Sequence, residues 1–91
     1  MKKLPNTVSA YKKTPEFTEL TVPKGLLKDH QTKQDVWGEI VVLEGCLEYT
    51  IIEPALEVIT LNKGQRGVVE PTILHHVTPV GAVRFYVEFN R

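Results

Sequence analysis

The sequence predicts an all-β barrel or sandwich. Three observations carry that expectation. Apolar residues recur at every second position in several short runs. Gly- and Pro-bearing turns separate the runs roughly every eight to twelve residues. No segment holds a helical period between caps.

Taken in order, Phe17–Val22 alternates and stops at Pro23, and Trp37–Leu43 is a continuous apolar, β-branched run that stops at Glu44-Gly45. Cys46–Ile52 alternates and ends at Glu53-Pro54, and Leu56–Leu61 is closed by Asn62-Lys63-Gly64. Gly64-Gln65-Arg66-Gly67 lacks the lysine and following helix of a phosphate-binding loop, so it reads as the turn into the next strand. The final run, Ala82–Phe89, puts Val83, Phe85, Val87 and Phe89 on one face and Arg84, Tyr86 and Glu88 on the other. The pattern predicts about eight to ten strands, no helix longer than a turn or two, and Gly45 and Gly64 in turns. Residues 1–15 are the least patterned stretch. They form an arm that is either loose or paired with an edge strand or a second subunit.

At 91 residues the chain is expected to be one domain, 1–91, with a single modest core. Apolar residues at 42 % and charged residues at 24 % are ordinary globular values and argue against disorder. The net charge is zero and the lysines before Gln34 are interspersed with acids and prolines. Nucleic acid is therefore not an expected partner, since phosphate binding needs clustered excess cation. No apolar segment follows Met1, and no stretch approaches the ~20 apolar residues of a membrane span, so the expectation is a cytoplasmic protein without a membrane partner. Cys46 is the single cysteine and reads as an inert, partly buried thiol. Ser9 is the single serine, in the least patterned segment, and no nucleophilic triad is visible.

Chemistry concentrates at the histidines. His30 lies in Asp29-His30-Gln31-Thr32-Lys33, and His75 and His76 in Val69-Glu70-Pro71-Thr72-Ile73-Leu74-His75-His76-Val77. Both segments read as turns or strand ends of a small barrel, where loops converge on a cavity. Strand alternation puts His75 on the face of Val77, a sound core residue, and turns His76 the other way. Trp37 reads as packing, and Asp29 as an orienting partner for the neighbouring His30 imidazole is disfavoured, since adjacent strand residues normally face apart.

These segments, together with Val36-Trp37-Gly38-Glu39-Ile40-Val41-Val42-Leu43-Glu44-Gly45-Cys46-Leu47, resemble the small cupin domain found alone in bacteria and fused ahead of the methyltransferase in some tellurite-resistance TehB proteins. The resemblance covers roughly Pro23 to Phe89 and rests on H-x-T-K, V-W-G and V-E-P-x-x-x-H-x-V elements. It implies a cupin-type double-stranded β-helix, often paired into dimers, and the methyltransferase half has no counterpart in this chain. The general cupin metal pattern is degenerate here. The glutamate expected seven residues before Gly45 is Gly38, the second histidine of the first motif is Thr32, His30 survives, and the family pattern assigns the second-motif histidine to His75.

The candidate ligand pocket is thus His30, Thr32, Gly38 and His75, with His30 and His75 the candidate metal ligands and His76 a weaker one. Two readings of the histidine pair stay open: polar residues lining a metal-free pocket, and an incomplete shell for a divalent metal such as Zn, Fe or Ni, which would need a third ligand from Glu39, Glu48, Glu70, Glu88 or Tyr86. The expected function is a small-molecule or oxyanion binding domain tied to tellurite or another stress response. Its alternatives are a metal-dependent dioxygenase or isomerase and a protein-interaction module. The Val36–Leu43 run is apolar on both phases apart from Gly38 and Glu39, so its outer phase needs cover, from the arm or from a second subunit in a homodimer.

Overall fold

The computed structural model describes all 91 residues, Met1–Arg91. The chain forms one antiparallel sheet of six strands: β1 (Ala10–Lys13), β2 (Phe17–Thr18), β3 (Trp37–Ile51), β4 (Glu57–Asn62), β5 (Arg66–Val69) and β6 (His75–Asn90). The strand order is β1-β6-β3-β4, with β2 added to β6 and β5 to β3. Four residues of 3-10 turn, Lys24–Leu27, are the sole helical element.

The strand count is below the expected eight to ten because runs that read as separate strands are fused. Trp37–Leu43 and Cys46–Ile52 join into β3, and the residues from His75 onward run into Ala82–Phe89 as β6. The two pair from Trp37 opposite Asn90 to Ile51 opposite His75, with irregularities at Val42/Glu44 and Gly45/Leu47. Gly45 therefore lies inside a strand and not in a turn. Its φ is +79°, and a Cβ there would sit 2.1 Å from the Ala82 carbonyl oxygen. The glycine bends the strand where another residue would end it. Gly64 does occupy the turn between β4 and β5, with φ +84°.

The bulge also exchanges the inward phase of β3. Gly38, Ile40 and Val42 face inward before it and Leu47, Tyr49 and Ile51 after it. Both halves meet one core, which β6 completes with Val77, Val83, Phe85 and Val87 on the face its alternation indicated. β4 and β5 follow one another along the same edge of β3, at Cys46–Ile51 and Gly38–Val41 respectively. The backbone N–H groups of Val83 and Val87 in β6 donate to Glu19 Oε1 (3.1 Å) and Thr14 Oγ1 (3.0 Å), so chain outside the regular ladder satisfies them.

Phe17–Val22 is strand for two residues alone. The Thr18 and Thr21 side chains compete with the ladder: Thr18 N donates to Thr21 Oγ1 (2.8 Å), Leu20 N to Thr18 Oγ1 (3.2 Å), and Val22 N to the Thr18 carbonyl (2.9 Å). Of residues 1–15, Ala10–Lys13 pair with the C-terminal end of β6. On the outer phase of the Trp37–Leu43 run, Val41 is buried and Trp37 and Leu43 are half-buried, so a single chain already covers much of it.

The two glycines at positive φ make a paired test. Gly45→Ala meets backbone and is expected to cost well above the ~1–2 kcal/mol of left-handed strain, whereas Gly64→Ala, with open space around it, should cost about that strain alone. Urea unfolding of the two variants measures the difference.

Candidate functional site

His30, Thr32, Gly38 and His75 border one cavity of about 340 Å³. Its remaining wall is largely apolar: Phe17 and Leu26 from the N-terminal irregular segment, Ile40 from β3, Val69 from β5, and Val77, Phe85, Val87 and Phe89 from β6. Alternation in β6 had placed Phe85, Val87 and Phe89 on one face. Phe17, Leu26 and Thr14 were not legible, because they come from segments without a period and reach the wall only through the tertiary path of the chain.

The two histidines are joined through their backbones. His30 N donates to the His75 carbonyl and His75 N to the His30 carbonyl, each at 2.9 Å, an isolated antiparallel bridge at the start of β6. The bridge brings the rings to a centroid distance of 4.0 Å with a 50° tilt. Each imidazole then makes the same local bond: His75 Nδ1 to the Ile73 carbonyl at 3.0 Å and His30 Nδ1 to the Lys28 carbonyl at 3.2 Å. A carbonyl only accepts, so Nδ1 carries the proton in both rings, and in a neutral ring Nε2 is left as the acceptor. Neither Nε2 has a protein partner, and no side-chain nitrogen or oxygen is sealed away unpaired. The Nε2 of His75, a residue only 3 % exposed, is therefore open to the cavity its ring borders.

Burial dominates the electrostatics of His75. Loss of hydration pushes its pKa down to about 4, against a smaller upward pull from the Ile73 carbonyl, with His30 and His76 adding to the depression. The Tyr49 ring meets His75 edge to face at 5.8 Å, and its hydroxyl donates to the Val68 carbonyl at 2.9 Å. Burial first, then Glu70 and Glu57, keeps that phenol protonated.

Other sequence candidates have different roles. His76 faces away from the cavity and its Nδ1 lies 2.7 Å from Asp29 Oδ1. Asp29 thus pairs with His76 and not with the adjacent His30, because neighbours on an extended chain face apart. The Thr32 hydroxyl donates to the Val36 carbonyl at 2.8 Å, which closes the loop leading into β3. Gly38 is a close-packing position more than a vacancy: a Cβ there would lie 3.2 Å from Val69 Cβ and 3.8 Å from Val87 Cγ1.

The residues present do not fit a metal shell. Zinc and non-haem iron sites ordinarily take three protein ligands, and nowhere in the chain do three His, Cys, Asp or Glu side chains converge. The carboxylates considered as a third ligand do not border the cavity. Glu39 and Glu88 lie 3.6 and 4.0 Å from Arg66 Nη1, and Glu70 lies 3.4 Å from Lys2 Nζ. Tyr86 carries Lys13 Nζ over its ring at 5.4 Å. The pair His30 and His75 supplies two donors, and Gly38 closes against Val69 where the general pattern has a glutamate.

The depressed His75 pKa has a direct consequence for stability. Above the ordinary imidazole value of 6.5 both folded and unfolded chains carry neutral His75; as pH falls from there toward about 4, only the unfolded chain takes up the proton. Stability should therefore fall through that window, by up to roughly 3 kcal/mol. Chemical denaturation at pH 7 and pH 4.5 measures the fall, and H75Q should flatten the part of the slope that belongs to this ring.

A family model for the TehB-like domain matches residues 12–87. Among solved structures, a protein from Escherichia coli strain K12 is 22 % identical with a TM-score of 0.90, covering 100 % of this chain and 97 % of its own. TehB from Haemophilus influenzae is 25 % identical with a TM-score of 0.79 over 93 % of this chain and 32 % of its own, so the chain matches about a third of that protein. A cupin-2 domain containing protein from Shewanella frigidimarina is 16 % identical with a TM-score of 0.58, over 98 % and 74 %. No curated protein matches. No helix is long and apolar enough to cross a membrane. The family match over most of the chain, with the bent antiparallel sheet and its structural likenesses, means that the chain belongs to the TehB-like domain family and has the double-stranded β-helix fold of the cupins.

Proposed function

We propose that this domain binds a small molecule in the cavity beneath the His30–His75 pair and acts by binding rather than by turnover. The observation that carries the reading is an apolar cavity of about 340 Å³, at the low end of ordinary ligand sites, bordered by two imidazoles whose Nε2 atoms have no protein partner. Between a small organic molecule and an oxyanion the wall favours the former, since no Lys or Arg borders it. A role in tellurite or another stress response is supported by membership of the TehB-like family alone. The dioxygenase or isomerase alternative lacks a third ligand. Homodimerisation stays part of the proposal, supported by exposed Leu56 and Val58 at the sheet edge and testable by light scattering.

A nuclear magnetic resonance screen of small aromatic compounds against the labelled protein tests binding. Shifts are expected on cavity-lining residues, and L26W, which fills the wall from the 3-10 turn, should weaken the responding compounds at least tenfold while His76→Ala leaves them unchanged. Shifts scattered over the surface, or binding unaffected in a folded L26W protein, would refute the reading.

A further inference from the structure

We propose that the cavity selects a neutral, mostly aromatic molecule that donates a hydrogen bond, a phenol-class ligand, to the Nε2 atoms of His30 and His75. This rests on the small-molecule reading above and adds the chemistry of the occupant.

Four polar side chains border the cavity: Thr14, His30, Thr32 and His75. The Thr14 hydroxyl donates to the Pro15 carbonyl at 2.9 Å and the Thr32 hydroxyl to that of Val36 at 2.8 Å. His30 and His75 give their Nδ1 protons to the Lys28 and Ile73 carbonyls. Every side-chain donor is therefore already engaged with backbone, and what remains for a ligand is acceptor capacity, chiefly the two Nε2 lone pairs. Burial keeps His75 neutral at pH 7, so its Nε2 stays an acceptor.

Charge narrows the class further. No Asp, Glu, Lys or Arg borders the cavity, so an anion would give up its hydration with no cation or side-chain donor to replace it, and a cation would meet no carboxylate. A neutral donor incurs neither cost. The volume holds roughly ten non-hydrogen atoms at ~30 Å³ each, and Phe17, Phe85 and Phe89 offer ring faces and edges to an aromatic body. A hydroxyl on such a body meets the two imidazole acceptors, whose ring centroids lie 4.0 Å apart at the wall.

Three probes of like size separate the possibilities in amide nitrogen–proton titrations of the full chain at pH 7: 2-naphthol, a neutral donor; 2-methoxynaphthalene, which cannot donate; and 2-naphthoate, an anion. The expected order is 2-naphthol about tenfold tighter than 2-methoxynaphthalene, the worth of one added hydrogen bond, with 2-naphthoate weakest. H30F keeps a ring at the wall but removes one acceptor, and it should cut the preference for 2-naphthol to threefold or less. Equal binding of the first two, or 2-naphthoate binding as tightly as 2-naphthol, overturns the donor requirement while leaving small-molecule binding in place. If none of the three moves resonances of the cavity wall, the small-molecule reading falls as well.

Discussion

The rest of the structure depends on the pairing of β3 with β6 along their whole lengths through a shared bend. A long antiparallel ribbon has two ends and one buried face. To close a core it must fold over, and it must do so without losing its ladder. Gly45 meets that requirement with a positive φ and a backbone approach to Ala82 that no Cβ allows. Across the bend, Ile40 and Val42 from one half and Leu47, Tyr49 and Ile51 from the other join a single core with Phe85 and Val87. The cavity lies against that core, walled by Ile40, Val77, Phe85 and Val87, and it exists because the folded ribbon is capped by the irregular N-terminal segment carrying Phe17 and Leu26.

The same geometry determines the chemistry of the histidines. His75 opens β6, and the backbone bridge to His30 draws the loop before β3 against it. The carbonyl two residues upstream of each ring takes its Nδ1 proton, which fixes the tautomer without any carboxylate. In a metalloprotein that arrangement would prepare Nε2 to coordinate an ion. Here the wall gives no third ligand, the glutamate position is a glycine packed on Val69, Glu39 and Glu88 lie beside Arg66, and Glu70 lies beside Lys2. The imidazoles are left with paired, unpartnered Nε2 atoms at the edge of an apolar space.

Much of this was legible in the residues. The period-two runs marked the strands, and the alternation through His75, Val77, Val83 and Phe85 marked the inward face of β6, because a strand's side chains obey a local rule. The parity of His30, Thr32 and Gly38 placed three residues on one side, and all three border the cavity. Two errors share one cause. Gly45 read as the end of a strand, and Thr18–Val22 read as the body of one, because glycine and threonine admit both outcomes and the neighbouring chain decides between them. The partner Asp29 does take, His76, was not legible because it lies 47 residues along the chain.

By itself, the sequence determined the fold class, the apolar faces and which histidine of the His75-His76 pair turns inward, all consequences of short-range periodicity. Only the tertiary structure decided how many strands those runs make, which loop residues wall the cavity, and whether the histidines meet a third ligand. Those outcomes depend on long-range pairing across the bend and on which backbone carbonyls lie within reach of each ring, and neither is encoded in the spacing of residues along the chain.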